Sequence, residues 1–177
     1  MLDIAVAFSR YRFLGPEFLT WLWYAIETDP DAIKAAAMGR GLLTVGDRIV
    51  LESSADQPAE RVTITGENAD LGEGIVALRK GALVAELRLH YMAGDQEWRF
   101  SLKGDTLALM GLKTPRSVPV ESPDEVEGAV VDKVGLCDEV VRLLDSLFLR
   151  FIKLRVSERW REKAVPGMKA WIKAARL

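Results

Sequence analysis

From Leu83 to Lys103 the chain places apolar side chains at every second position. Leu83, Ala85, Leu87, Leu89 and Tyr91 alternate with Val84, Glu86, Arg88 and His90, and Trp98, Phe100 and Leu102 alternate with Glu97, Arg99, Ser101 and Lys103. A period of two puts one set on a core face and the other on the opposite face of a strand. Gly94-Asp95 and Gly104-Asp105 supply tight turns, the second leading into a further strand over Thr106 to Leu112. The pattern predicts an antiparallel meander with one face covered by helices and the other open. The open face would carry Arg88, His90, Arg99 and Lys103.

Upstream the period changes. Pro16 suits a first helical turn, and Phe18, Leu19, Leu22, Trp23 and Ile26 recur at helical spacing, so Gly15 to Thr28 is expected as a helix. Trp21 and Tyr24 widen its apolar face, which predicts burial on several sides. A short helix over Asp29 to Met38 ends at Gly39-Arg40-Gly41. Leu42 to Val45 and Arg48 to Ser53 flank Gly46-Asp47, a two-residue loop suited to a tight hairpin, and Arg61 to Thr65 alternates as a third strand after the loop Ser54 to Glu60. Leu71, Ile75 and Leu78 share a helical face closed by Lys80-Gly81.

Pro115, Pro119 and Pro123 mark a linker, after which Ser122-Pro123-Asp124 starts a helix expected to run to about Val156. Val126, Val130, Val134, Cys137, Val141, Leu144, Phe148 and Phe151 follow helical spacing there, as the packing face toward a core or a partner. Pro166 to Ala175 forms a last short helix. The expected fold class is α+β, an antiparallel sheet with helices packed on one face and a long C-terminal helix. Residues 1–177 would form a single domain, with a helix-sheet part over 1–113, the linker over 114–123 and a helical part over 124–177.

Composition fits that architecture. Of 177 residues 49% are apolar and 28% charged, and a chain of this length buries roughly 70% of its unfolded surface without help from disulfides or metal. Cys137 is the single cysteine, so no disulfide forms within the chain; it is expected as a small buried residue on a helix, consistent with a reducing cytosol. Met1 to Phe13 lacks the features of a signal peptide, and no apolar run approaches the ~20 residues of a membrane span. The expected setting is cytoplasmic, with no membrane partner.

Candidate chemistry is sparse. One His and one Cys leave only scattered carboxylates as metal ligands, and Gly39-Arg40-Gly41 and Gly72-Glu73-Gly74 lack the spacing of a phosphate loop. His90 has no Ser, Cys or Asp spaced to form a triad. The expectation is a protein without a catalytic residue, metal or cofactor, and not an enzyme.

Charge segregation is what remains. Net charge is −2, yet Glu121 to Glu139 holds seven acids against Lys133 alone, and Arg142 to Leu177 holds ten bases against three acids. A cationic end of this kind neutralises nucleic-acid phosphates without reading sequence. It equally suits docking on the acidic segment of a neighbouring subunit.

A family resemblance bears on that choice. Gly74-Ile75, Arg79-Lys80-Gly81, Val84-Ala85-Glu86-Leu87-Arg88-Leu89, Phe100, Leu107 and Leu112-Lys113 resemble the C-terminal part of the recombination-associated protein RdgC family, in shortened form. Phe13 to Trp23 resembles shorter bacterial proteins grouped with it. The resemblance implies a bacterial, nucleoid-associated protein that binds double-stranded DNA with little sequence preference and modulates recombination. The cations expected to contact DNA phosphates are Arg88, Arg99 and Lys103 on the open sheet face and Arg155, Arg159, Arg161 and Lys163 near the C-terminus. A homodimer formed through the long helix or the sheet edge is expected. The competing expectation is a homo-oligomeric interaction or assembly module without nucleic acid.

Overall fold

The computed structural model describes residues 14–36, 41–53, 61–66, 71–116 and 126–174. The elements, in order, are α1 (Leu14–Thr28), α2 (Pro30–Ala36), β1 (Leu42–Glu52), β2 (Arg61–Thr65), α3 (Leu71–Arg79), β3 (Leu83–Ala93), β4 (Gln96–Lys103), β5 (Leu109–Lys113), α4 (Val126–Arg155), a π-helical turn (Trp160–Ala164) and α5 (Val165–Ala174). The fold is α+β. Five strands form one antiparallel sheet in the order β2-β1-β3-β4-β5, so β1 crosses back to pair with β3.

From Leu87 onward the alternation in β3 and β4 works as the sequence predicts, but at the start of β3 it does not. Val84, expected on the open face, is buried in the core opposite Leu51, where β1 shifts register, and Leu83 and Ala85 are half-buried. Leu87 faces Leu102, Leu89 faces Phe100 and Tyr91 faces Trp98 across the pair, all buried, and Leu43, Ile49 and Leu51 of β1 extend that layer. Helices α1, α3 and α4 bury Phe18, Leu22, Trp23, Ile75, Leu143, Leu147 and Phe151 in the same core. The helix-sheet part and the helical part after the linker therefore share one apolar interior. The aromatic side of α1 is buried, with Phe18, Trp21 and Phe151 in mutual ring contact.

Local chemistry sets the joints. The Asp29 carboxylate accepts the Ala32 N–H at 3.1 Å, capping α2 with Pro30 at its first position. In α1 the Thr20 hydroxyl donates to the Pro16 carbonyl at 2.8 Å and accepts the Val84 N–H at 3.0 Å, which ties the helix to the start of β3. Gly81 (φ +91°) and Gly94 (φ +61°) take left-handed conformations at the end of α3 and in the β3–β4 turn, where a side chain would be strained.

Two further expectations are corrected. Gly46-Asp47 is not a hairpin turn: β1 runs unbroken from Leu42 to Glu52, and between the Val45–Leu89 and Ile49–Leu87 pairs it inserts Gly46, Asp47 and Arg48 opposite Arg88 alone. A Gly-Asp pair suits a bulge as well as a turn, and the non-local pairing with β3 decides between them. The core face of α4 is the predicted one only in its C-terminal part, where Phe151 is buried and Leu144 and Phe148 pack against the core. Val140, Leu143, Leu147 and Phe151 are buried, whereas Val126, Val130, Val134 and Val141 are exposed. The loop Ser54 to Glu60, the proline segment around Pro119 and Pro123, and the expected helix start at Ser122 to Asp124 lie outside the described residues.

Candidate nucleic-acid interface

The face of the sheet opposite the helices is built from the polar positions of the alternation. Across β3 and β4, Arg88 faces Ser101, His90 faces Arg99 and Glu86 faces Lys103. A flat sheet would hold these side chains as a plain row, but this one is bulged on both sides of the β3–β4 pair. On one side is the β1 insertion; on the other, β4 places Phe100 alone between Arg99 and Ser101 where β5 places Gly111 and Leu112 between Met110 and Lys113. Gly111 takes φ +59° in that second bulge. Bulges bend their strand and increase its twist. Between them lies a basin of about 550 Å³, whose lining includes Arg48, Arg88, His90, Arg99 and Lys113 together with Asp47 and Glu86.

The cations of the basin are held in different ways. Arg48 Nε lies 3.2 Å from Glu86 Oε1, and the Glu86 side chain is only 9% exposed. A carboxylate so enclosed needs its cation, so this pair belongs to the scaffold. Arg88 donates from Nε to the Ser101 hydroxyl at 3.4 Å and from Nη1 to Asp47 Oδ1 at 3.1 Å, and Asp47 is 48% exposed. The Arg88 hydrogen bond holds the Asp47 carboxyl below its ordinary value. Arg99 Nε pairs with Glu97 Oε1 at 2.6 Å on the rim, a contact that lowers the Glu97 pKa and raises that of Arg99 through the shared hydrogen bond. Lys103 and Lys113 make no ion pair among the described residues.

The C-terminal cations stand elsewhere. Arg155 pairs with Glu17 of α1 at 2.7 Å and stacks over the Trp160 ring, 5.2 Å from its centroid. Trp160 and Ala164 are buried in the core, which fixes the π-helical turn to the helix layer. Arg159 and Lys163 line a second concavity of about 530 Å³ with Tyr24, Asp29, Arg150 and Lys153, and Arg161 is exposed on the same turn. Of the cations expected from the sequence, Arg88 and Arg99 line one basin and Lys103 shares their face. Arg155, Arg159, Arg161 and Lys163 belong to the helix side of the core, so the seven do not form one continuous surface.

Arg48, Lys113 and Asp47 enter the site without having been expected there. Their signal was present in the polar positions flanking Ile49 and Leu112, but treating Gly46-Asp47 as a hairpin turn removed β1 from the neighbourhood of Arg88. His90 lies half-buried on the open face, where the alternation placed it. Cys137 lies on α4 as expected but is half-buried rather than buried. Among the described residues no helix is long and apolar enough to cross a membrane. No family model, curated protein or solved structure matches the chain.

Proposed function

We propose that the open sheet face binds double-stranded DNA through its phosphates, without sequence preference. The observation that supports this reading is the gathering of Arg48, Arg88, His90, Arg99 and Lys113 from four strands into one basin on the face opposite the helices. Lys103 extends the same face beyond the basin. Guanidinium groups presented from strands make directional hydrogen bonds to phosphate oxygens, whereas base recognition requires an element that enters a groove. This reading agrees with what the RdgC resemblance implies about the ligand. It assigns the contact to the sheet and leaves Arg155, Arg159, Arg161 and Lys163 outside it.

Binding of labelled duplex to the full chain, followed by fluorescence anisotropy across a salt series, tests the reading. Lys103 and Lys113, without an ion pair among the described residues, and the surface-paired Arg88 and Arg99 set a slope of log K against log salt between about −2 and −3.6, at about 0.9 per phosphate contact. Absence of binding at low salt, or binding indifferent to salt, would rule the reading out.

A second reading, a self-assembling module without nucleic acid, is favoured by one observation. Val126, Val130, Val134 and Val141 form an exposed apolar stripe along α4. It predicts self-association in sedimentation velocity together with no duplex binding at low salt.

A further inference from the structure

The two cation-carboxylate pairs inside the basin differ in a way that bears on ligand entry. Glu86 is enclosed beside Arg48, but Asp47 reaches Arg88 from the solvent side. The β1 insertion lies close against the face at this point: a Cβ on Gly46 would stand 3.0 Å from Arg88 Cγ and 3.1 Å from His90 Nε2. The backbone of the insertion is held independently, since the Asp47 carbonyl accepts the Gly66 N–H at 3.0 Å. Only the Asp47 side chain has to turn to leave Arg88. Ser101 meanwhile keeps the guanidinium on the sheet through Nε.

We infer that Asp47 is an internal occupant of an oxyanion position in the basin, and that a DNA phosphodiester binds there by taking the Arg88 guanidinium from it. This rests on the duplex-binding reading above and adds to it the position of one phosphate and the side chain that must be displaced. Glu97 does not play this part, because it holds Arg99 from the rim and does not line the basin. Displacement has a definite ionic signature. When the phosphate replaces Asp47, the freed carboxylate gathers a cation from solution, offsetting one of the counterions the DNA releases. Removing the carboxylate removes that offset.

The test compares the full chain with Asp47→Asn, using a labelled duplex and the salt series already described. An exposed ion pair is a modest competitor for its cation, so Asp47→Asn is expected to bind about two- to five-fold more tightly at low salt. Its slope should be steeper by about 0.9. Asp47→Glu keeps the competing carboxylate and should match the parent. Asp145→Asn removes the same charge from α4 and should match it too. Equal affinity and slope in Asp47→Asn and Asp145→Asn would overturn the inference while leaving duplex binding standing. Loss of affinity in Asp47→Asn would overturn it as well, since the carboxylate would then be aiding the ligand. If neither the parent nor Asp47→Asn binds at low salt, the duplex reading fails and the inference fails with it.

Discussion

The Trp98 indole N–H donates to the Leu136 carbonyl at 2.9 Å, joining the core face of β4 to the middle of α4. It marks the point along the helix where burial begins: beyond it come Val140, Leu143, Leu147 and Phe151, and before it the apolar residues Val126, Val130 and Val134 are exposed. Trp98→Phe removes the donor and leaves part of the ring volume empty. A loss of about 1–3 kcal/mol is expected in urea unfolding. A change below about 0.5 kcal/mol would show that the indole contributes little beyond its apolar surface.

The same division of α4 supplies a contrast within one helix. Val130 and Val134 are 56% and 62% exposed, so the double change to Ser should leave stability within about 1 kcal/mol, whereas Leu147→Ala in the core should cost about 2–5 kcal/mol. Sedimentation of the double variant checks the assembly reading at the same time, because loss of these valines should weaken any self-association through the stripe.

Helix α1 approaches the β4–β5 turn so closely that a Cβ on Gly15 would overlap the Gly104 carbonyl oxygen. That neighbour is backbone and has little room to give. Gly15→Ala is expected to cost about 3 kcal/mol or more, measured by thermal or urea unfolding. Near-parental stability would mean that α1 shifts along the sheet without penalty.

Charge reversal separates the two cationic regions. Arg88→Glu with Arg99→Glu should weaken duplex binding by at least ten-fold at low salt, since two contacts become repulsions. Arg159→Glu with Lys163→Glu, on the helix side of the core, should change affinity less than three-fold. Anisotropy titrations of the two double variants decide it, and the opposite order would move the binding surface to the helix layer.

Much of the sheet could be deduced from the chain because its rule is local. Leu87, Leu89 and Tyr91 must share a face whatever else the protein does, and Gly94 provides its turn. The β1 bulge escaped because Gly46-Asp47 satisfies a hairpin and a bulge equally well, and only pairing with distant β3 selects the bulge. In α4 two apolar stripes are wound on one helix, and which is buried depends on how far the helix overlaps the sheet. The separation of Arg155 from Arg88 follows from layer packing, on which chain order is silent. Glu86, Arg88, His90 and Arg99 were visible in the alternation; the basin itself depends on bulges in neighbouring strands.

Titration offers a direct check on the Asp47–Arg88 contact. The hydrogen bond from Arg88 lowers the Asp47 pKa from its ordinary 3.8. A carboxyl depressed on folding stabilises the folded state above its unfolded value and loses that contribution as pH falls through the folded value. The pair should therefore stay intact throughout the neutral and mildly acidic range. The Asp47 carboxyl carbon, followed by NMR, should show a midpoint below 3.8. A midpoint at or above that value would show that the contact is absent in solution.

The strand order also divides the basin into a local and a non-local part. The β3–β4 hairpin closes over Gly94-Asp95, whereas the β1–β3 pair joins strands separated by residues 53–82, which include β2 and α3. Bringing distant segments together costs more loop entropy than closing a tight turn, so local hairpins have the advantage in forming early. Arg88 and Arg99 are brought together by that tight turn, and Arg48 and Asp47 reach them only through the longer β1–β3 closure. The central arginines therefore belong to the most local part of the sheet, and the carboxylate that occupies one of them comes from its most distant pairing.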